Sequence, residues 1–434
     1  MNHISRLTCA AYGAPAFALA ALYFPVFVYL APYYAERQGI ALAAIGGLFI
    51  AVRLIDAVTD PAMGWLSDHT PGVLARFGRR RVWLAVALPI ICLSVWMLFT
   101  PHADAGFGYL AFWLTLLTLG WTVAQTPYFA WGAELSGDYD VRARVTSWRE
   151  GLGLVGVTLA ILLIHATSDG LPGLNAVAIM VIITLPIAVL IALRYVPEPR
   201  NFSRQSLSIR EAGRAIAGNA LFRRLVGAYF INGLANALPA GLFVFYIRDL
   251  LQDAEAGFLI LVYFVCAVIG LPLWNKLAAR TGSKHRTWGI AMIYASLIFI
   301  PAAFLGPGDT VIFGVICVLT GLALGADLAL PAAIQADVVD QDTAETGEQR
   351  TGVYFAIWSL ITKAALAVGG GVALIILDVV DFQTNAANGE TALTALAMLY
   401  ALAPAVLKMI AVAMMWNFPL DRAQQSDLRA RIET

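Results

Sequence analysis

Three ionisable side chains lie together in one strongly apolar stretch of the chain. Arg53, Asp56 and Asp60 fall within residues 41–66, which are apolar enough to cross a lipid bilayer. Their spacing places all three on one face of a helix. Because an ionised side chain at bilayer depth costs about 3 kcal/mol or more, this group of charges indicates a functional site. The two carboxylates and the neighbouring hydroxyl of Thr59 offer the oxygen ligands that a hard cation prefers.

Two interpretations of this stretch are open from the residues alone. In the first, the paired carboxylates of Asp56 and Asp60 bind Na⁺ or H⁺, and one ion can replace the other at the same pair. In the second, they form a structural ion-pair network with Arg53 and with Lys363, a basic residue of a later apolar stretch. Arg53 and Lys363 either balance the carboxylates or bind an anionic solute such as a uronate or a phosphate.

Polar side chains also occur in other apolar stretches. Asp327 is a candidate for solute contact, because carboxylates within a membrane are rare and are usually functional; the alternative is an ion pair with Lys363. Asn232 and Asn236 are four residues apart, and Tyr12 is a weaker candidate of the same kind. These three residues either contact solute or form hydrogen bonds between helices.

Trp121, Gln125, Tyr128 and Gly132 recur at the spacing of one helix face. An aromatic ring for stacking and an amide for hydroxyl groups are typical of a sugar-binding site. Packing between helices is the alternative, because small and polar residues also hold membrane helices together.

The composition is that of an integral membrane protein. Of 434 residues, 60% are hydrophobic and 13% are charged, whereas about 25% are charged in soluble domains; the mean hydropathy is +0.76. A membrane helix needs about 20 apolar residues, and a helix satisfies its own backbone in lipid. The sequence predicts an all-α fold with twelve transmembrane helices, near residues 10–34, 41–66, 82–101, 107–134, 149–168, 174–195, 222–247, 256–275, 287–305, 310–336, 351–378 and 391–417.

The basic residues indicate how these helices are oriented. Outside the predicted spans, only Arg37 and Arg248 fall in loops that follow odd-numbered spans. Because basic loops stay in the cytoplasm, we expect both termini to be cytoplasmic in a multi-pass protein of the cell inner membrane. The long basic loop divides the chain into a six-helix bundle at 1–196, a linker at 197–220 and a second six-helix bundle at 221–434.

The two predicted halves resemble each other weakly in sequence. The second and eighth spans can be aligned, and each is followed by a basic turn and a tryptophan. Parallel repeats of this kind are a known plan of transporters. In this alignment Asp56 and Asp60 correspond to Cys266 and Gly270, so a cation site at the carboxylates would belong to the N-terminal half.

Longer motifs resemble a known family. The pattern Arg53-x-x-Asp-x-x-x-Asp-Pro-x-x-Gly-x-x-x-Asp68, with its basic turn, is similar to the melibiose-permease-like family, the glycoside-pentoside-hexuronide:cation symporters of the major facilitator superfamily. The animal sodium-coupled lysophospholipid carriers resemble the same pattern. Shorter matches are Tyr12-Gly13, Asp140-x-Arg142, Arg149, Asp337-x-x-Asp340 and Lys363.

The resemblance implies alternating access in the major facilitator fold, with a cation bound by Asp56 and Asp60 beside Thr59 and Lys363. It also implies a cytoplasmic gate of salt bridges between helix ends. For the basic turn, contact with lipid headgroups is the alternative. The residues assigned to the gate are Asp68, Arg79, Arg80, Arg81, Arg142, Arg149, Asp337 and Asp340.

The chain departs from the family at the sugar site. Melibiose-type members hold the sugar with two carboxylates, whose positions are Ala20 and Gln125 here, and Phe129 replaces a tryptophan. The resemblance therefore implies a cation site more firmly than a galactoside site. We expect cation-coupled symport of a small polar solute, such as a glycoside, a sugar or a sugar acid. A carrier of a lysolipid-like solute and a non-transporting membrane sensor are the alternatives.

No motif indicates an enzyme or a nucleic-acid-binding protein. The sequence has no glycine-rich phosphate loop and no pairing of a nucleophile with a base, and its formal net charge is zero. The four cysteines are spread through apolar segments and are expected to pack as small hydrophobes. We expect no cofactor other than the coupling ion, and a monomer that contacts membrane lipid and a small-molecule solute.

Overall fold

The computed structural model describes residues 5–72, 76–135, 139–166, 173–198, 218–346, 351–384 and 387–421. Secondary structure in these residues is entirely helical. Twelve of the described helices are long and apolar enough to cross a membrane. They are numbered here as spans 1–12. The predicted all-α fold with twelve spans is confirmed.

The N-terminal compact unit, Met1–Ser206, contains the first six spans. A short helix, Leu30–Gln38, lies between spans 1 and 2. Spans 1 to 6 are, in order, Arg6–Val28, Leu42–Asp68, Arg81–Phe99, Phe107–Glu134, Tyr139–Ala166 and Leu174–Tyr195. The unit ends within the predicted linker 197–220, most of which lies outside the described residues.

The C-terminal compact unit, Leu207–Thr434, contains the other six spans. Span 7 is Ala220–Phe245 with a π-helical end at Tyr246–Leu250, and span 8 is Leu259–Thr281 after a 3₁₀ turn at Ala254–Phe258. Span 9 is Lys284–Phe299 with a 3₁₀ end at Ile300–Phe304. Spans 10 and 11 are Thr310–Thr346 and Thr351–Val379. Span 12 comprises Glu390–Ala397, a π-helical segment at Met398–Leu402 and Ala403–Met415.

Two helix boundaries differ from the sequence prediction for identifiable reasons. Span 1 was expected to continue to residue 34, but its helix ends at Val28. Pro32 has no N–H group to donate to the carbonyl of Val28, so the helix is interrupted there. Span 10 was expected to end at residue 336, but it continues to Thr346. No Gly or Pro follows in that stretch, so the helix passes the point where the apolar run stops.

Spans 1 and 5 pack closely because glycines remove side chains from their contact. A Cβ at Gly156 of span 5 would lie 2.0 Å from the carbonyl oxygen of Phe17 in span 1. A Cβ at Gly13 of span 1 would lie 2.9 Å from the carbonyl oxygen of Trp148. Small residues let membrane helices approach to backbone contact in this way.

Replacement of Gly156 by alanine should separate spans 1 and 5 and destabilise the N-terminal unit. The methyl group would overlap a backbone oxygen, which cannot rotate away as a side chain can, so we expect a loss of about 1–3 kcal/mol or more. Gly151→Ala is the matched control, because a Cβ at Gly151 of the same span meets nothing within 4 Å. Thermal unfolding in detergent measures both variants, and equal midpoints would contradict the close approach.

Candidate cation and solute sites

Oxygen atoms from spans 2 and 4 converge in the N-terminal unit. The hydroxyl oxygen of Thr122 lies 3.0 Å from Asp60 Oδ1 and 3.4 Å from Asp56 Oδ1. Thr122 and Asp56 are each only 1% exposed. A hydroxyl has one proton to donate, so it satisfies one carboxylate at a time and keeps lone pairs for another partner. Asp56, Asp60 and Thr122, called the acidic cluster below, thus present the oxygens that suit a hard monovalent cation or a proton.

Arg53 lies against one of the two carboxylates. Its Nη1 atom donates to Asp56 Oδ2 at 2.6 Å, which is the oxygen of Asp56 other than the one near Thr122. Its Nη2 atom donates to the hydroxyl of Tyr23 in span 1 at 3.1 Å. Arg53 thus joins Asp56 of its own span to Tyr23 of span 1.

Thr59 and Lys363 are the other two predicted members of the cation site. The hydroxyl of Thr59 donates to the carbonyl oxygen of Ile55 at 3.1 Å within its own helix, so the hydroxyl that reaches the carboxylates is Thr122 instead. Sequence reasoning missed Thr122, because it lies on another span, 62 residues from Asp60. Lys363 is half-buried on span 11 of the other unit, and its role at the carboxylates stays a prediction.

An aromatic pair and an amide connect Arg53 of span 2 with span 4. The rings of Tyr23 and Trp121 have centroids 5.2 Å apart. The indole Nε1 of Trp121 donates to Gln125 Oε1 at 2.8 Å. Tyr23, Trp121 and Gln125 are all half-buried, so each keeps surface that a solute can contact. The structure thus brings two of the predicted solute residues together and adds Tyr23 to them.

Tyr12 and Tyr128 form a closed pair between spans 1 and 4. The Tyr12 hydroxyl donates to the carbonyl oxygen of Tyr128 at 3.0 Å, and the Tyr128 hydroxyl donates to the carbonyl oxygen of Tyr12 at 2.5 Å. Their rings are stacked with centroids 4.7 Å apart, and both residues are buried. A Cβ at Gly132 would lie 2.0 Å from the Tyr12 hydroxyl. This geometry favours packing between helices over the alternative of solute contact for these three residues.

In the C-terminal unit, glycines bring spans 8 and 10 into close contact. A Cβ at Gly270 of span 8, which the internal alignment pairs with Asp60, would lie 2.1 Å from the carbonyl oxygen of Leu322 in span 10. A Cβ at Gly325 of span 10 would lie 2.5 Å from the backbone nitrogen of Leu271. Spans 8 and 10 therefore meet by backbone contact where spans 2 and 4 carry the acidic cluster.

The C-terminal unit has its own buried ion pair. Asp327 accepts hydrogen bonds from Lys408 Nζ at 3.0 Å, from Asn236 Nδ2 at 3.1 Å and from Trp288 Nε1 at 2.6 Å. Lys408 also donates to Asn232 Oδ1 at 2.8 Å. The side chains of both ionised residues are 10% exposed. The network joins spans 7, 9, 10 and 12.

This network corrects one of the sequence interpretations. The ion-pair partner of Asp327 is Lys408 and not Lys363. The predicted residues Asn232 and Asn236 do lie together with Asp327, but Trp288 and Lys408 complete the group, and their donors occupy both oxygens of the carboxylate. A contact with solute would have to displace one of these internal hydrogen bonds.

Comparison with known proteins now places the chain in a family. Residues 11–422 match the family model described as MFS/sugar transport protein. The chain belongs to this family. It is therefore a membrane transporter of the major facilitator superfamily, which acts on small-molecule solutes, and not an enzyme.

Three relatives of this transporter illustrate the range of the family. The inner membrane symporter YicJ of Escherichia coli (strain K12) is 26% identical over 402 residues, covering 88% of this chain and 84% of YicJ. The isoprimeverose transporter of Lactiplantibacillus pentosus is 24% identical over 399 residues, with 88% and 82% covered. The sodium-dependent lysophosphatidylcholine symporter 1-B of Danio rerio is 25% identical over 430 residues, with 88% and 80% covered.

Solved structures share the fold of this transporter. The nucleoside transporter NupG superposes with a TM-score of 0.67 at 15% identity, covering 95% of this chain and 99% of NupG. A bacterial homolog to the human lysosomal transporter Spinster superposes with a TM-score of 0.63 at 14% identity, covering 99% of this chain and 98% of that chain. These similarities confirm the major facilitator fold.

The basic turn of this transporter after span 2 is bound within its own unit. Arg80 is 5% exposed, and its Nη1 atom donates to Ser67 Oγ at 2.6 Å while its backbone nitrogen donates to Glu198 Oε1 at 2.9 Å. Gly78 has a φ of 107°, a conformation that favours glycine. Arg81 Nε donates to the carbonyl oxygen of Phe77 at 3.0 Å. Glu198, which was not predicted, thus joins the end of span 6 to the turn.

The other predicted gate residues also contact groups of their own unit. Lys284 Nζ lies 2.7 and 2.8 Å from the two carboxylate oxygens of Asp337 and joins spans 9 and 10. Arg149 donates to Glu150 Oε1 at 2.6 Å, and its guanidinium lies 4.1 Å from the ring centroid of Phe129. Gating by these residues stays a prediction. Arg79 and Asp340 are half-buried, and the side chains of Asp68 and Arg142 lie outside the described residues.

The Asp327–Lys408 pair should behave as one unit in a double-mutant cycle. Either Asp327→Asn or Lys408→Met leaves one charge buried, so we expect each to cost about 3–5 kcal/mol. The double variant leaves neither charge and should lose much less than the sum of the single losses. Thermal unfolding of the four proteins in detergent measures the interaction, and additive losses would show that the two charges do not depend on each other.

Proposed function

We propose that this transporter is a symporter that couples uptake of a small neutral polar solute to a monovalent cation, Na⁺ or H⁺, at the acidic cluster. The observation that carries the proposal is the convergence of Asp56 Oδ1, Asp60 Oδ1 and Thr122 Oγ1 from two spans. Converging oxygens at bilayer depth are expensive to keep unless an ion or a proton is bound there during function. YicJ and the lysophosphatidylcholine carrier are both named as symporters, which supports coupling.

Arg53 adjoins the acidic cluster. Its guanidinium is directed to Asp56 Oδ2 and to the Tyr23 hydroxyl. By the same contacts Arg53 is engaged with a carboxylate, which favours charge balance over the binding of a uronate or a phosphate by this side chain.

A glycoside or a sugar is the solute class that the N-terminal unit supports best. Trp121 offers an indole face, and Gln125 offers an amide to hydroxyl groups, while both are half-buried. The absence of carboxylates at Ala20 and Gln125 removes the charged acceptors of the melibiose-type pattern. One relative is named for the transport of isoprimeverose, which supports a sugar as the solute.

A lysolipid-like solute is the second candidate. The observation that favours it is the 25% identity over 430 residues to the lysophosphatidylcholine symporter of Danio rerio. Transport of a lysolipid would use the same acidic cluster, so this candidate differs from the first only in the solute. Both candidates require that bound cation favours the state that accepts solute, and that joint occupancy releases the cytoplasmic gate.

The membrane setting is part of the proposal. We place the transporter in the bacterial inner membrane as a monomer surrounded by lipid, with both termini in the cytoplasm. The distribution of basic residues supports the orientation, and the name of the relative YicJ supports the membrane.

Uptake into proteoliposomes tests the proposal. A panel of radiolabelled methyl glucoside, methyl xyloside, glucuronate and lysophosphatidylcholine is supplied with an inward Na⁺ gradient, an inward H⁺ gradient or neither. We expect a methyl glycoside to accumulate only with a cation gradient. Asp56→Asn and Asp60→Asn should abolish accumulation and leave at most downhill exchange, because each removes a charge that balances the cation.

Thr122→Val changes the acidic cluster without removing a charge, and Thr118→Val is its matched control. Thr122→Val removes one oxygen of the acidic cluster and should raise the cation concentration for half-maximal uptake by about tenfold, which corresponds to about 1.4 kcal/mol. Thr118 lies one turn earlier on span 4, and its hydroxyl donates only to its own helix, to Leu114 at 2.9 Å. Gradient-driven accumulation that persists in both aspartate variants would overturn the proposal, and accumulation of lysophosphatidylcholine alone would select the second candidate.

A further inference from the structure

Tyr23 lies between the acidic cluster and the pair Trp121–Gln125, the two groups that the proposed function uses. Its hydroxyl accepts a hydrogen bond from Arg53 at 3.1 Å, and its ring lies 5.2 Å from the ring of Trp121. On the basis of the proposed function, we propose that Tyr23 is a positioning residue that links cation occupancy at the acidic cluster to the solute-contacting pair Trp121–Gln125.

The first step of the link is a carboxylate that two positive charges share. Asp56 presents Oδ2 to Arg53 at 2.6 Å and Oδ1 to the hydroxyl of Thr122 at 3.4 Å. A cation at Oδ1 lies close to the guanidinium, and two like charges on one carboxylate repel each other more strongly in a low dielectric than in water. The bound cation therefore weakens the hold of Asp56 on Arg53.

The second step is the hydroxyl that holds the other side of the guanidinium. Arg53 Nη2 donates to Tyr23 OH, and the guanidinium carbon lies 5.6 Å from the centroid of the tyrosine ring. A guanidinium that is released by Asp56 turns towards the partner that remains. A movement of Arg53 therefore changes the position of Tyr23. Span 2 acts on span 1 through the hydrogen bond from Arg53 to the Tyr23 hydroxyl.

The third step carries this displacement to span 4. The Tyr23 ring is tilted by 34° against the indole of Trp121, and the indole donates to Gln125 Oε1 at 2.8 Å. A shift of the phenol changes the position of the indole, and the indole in turn fixes the amide of Gln125. The contact chain Arg53–Tyr23–Trp121–Gln125 therefore joins three spans within one compact unit.

The other tyrosines of this region do not offer the same link. Tyr12 and Tyr128 bind each other's backbone and are buried, so a change in charge at Asp56 has no direct contact with them. Tyr23 is half-buried, and it adjoins both Arg53 and Trp121. The link also narrows the class of solute. A bound cation would order the indole of Trp121 and the amide of Gln125, and these groups suit an uncharged ring with hydroxyl groups.

Fluorescence of Trp121 under cation titration tests the link without a known solute. The Trp121 signal is the difference between a protein and its Trp121→Phe counterpart, measured in purified form with Na⁺ against choline, and in a second series with acid. Thermal unfolding midpoints of the same samples report cation binding. In the wild type we expect a saturable change of the Trp121 signal at the cation concentration that raises the midpoint.

Tyr23→Phe removes the hydroxyl and keeps the ring. We expect this variant to bind the cation, as shown by the rise in its midpoint, and to lose most of the Trp121 response. Tyr23→Gln is a second variant, which keeps a polar group beside Arg53 and removes the ring, with the same expectation. Tyr34→Phe is the matched control, because it removes a buried phenol hydroxyl that donates to Leu98 at 3.0 Å, and it should keep the full response.

Each outcome decides a different part of the account. A wild type whose midpoint and fluorescence ignore both cations would overturn the proposed function and the link together. A wild type that binds the cation while Trp121 is silent would overturn the link alone, and the proposed function would stand. A Trp121 response in Tyr23→Phe equal to that of the wild type would also overturn the link alone.

Discussion

Carboxylates on a membrane helix are the constraint on which the N-terminal unit depends. Asp56 and Asp60 lie on span 2 among apolar residues, and Arg53 donates to Asp56 at 2.6 Å. Span 2 must therefore face groups that offer hydrogen bonds to these side chains. Thr122 of span 4 supplies a hydroxyl, and Tyr23 of span 1 supplies an acceptor to the far side of the guanidinium. Hydrogen bonds at these polar side chains thus join three spans.

The C-terminal unit differs in how its buried carboxylate is balanced and in how its helices pack. Its one-to-one pair of Asp327 and Lys408 is balanced internally, and asparagine and indole donors complete the hydrogen bonds of the carboxylate. Its spans 8 and 10 meet through Gly270 and Gly325, which leaves no side chain at the position of Asp60. The two halves thus differ at this position, because the acidic cluster lies between spans 2 and 4 and backbone contact joins spans 8 and 10.

The fold was predictable from the sequence because hydropathy and helix length act locally along the chain. The same locality explains the errors at the ends of spans 1 and 10, where a proline and an unbroken polar helix decide the boundary. Asp56 and Asp60 were predictable because their charge conflicts with their surroundings. Thr122, Tyr23 and Lys408 were not assigned to a site, because their roles arise from contacts between distant spans. A threonine or a tyrosine in an apolar helix is otherwise unremarkable, and the choice between Lys363 and Lys408 required the packing of spans 10 and 12.

Infrared difference spectroscopy of the carboxylates tests the central claim most directly, because it detects both a bound Na⁺ and a bound proton. The purified transporter is exposed in turn to Na⁺ and to acid, and the spectra are compared with those of Asp56→Asn and Asp60→Asn. The account predicts a carboxylate band that responds to one of these cations in the wild type and is lost in both variants. A response of equal size in a protein that carries both substitutions would contradict it.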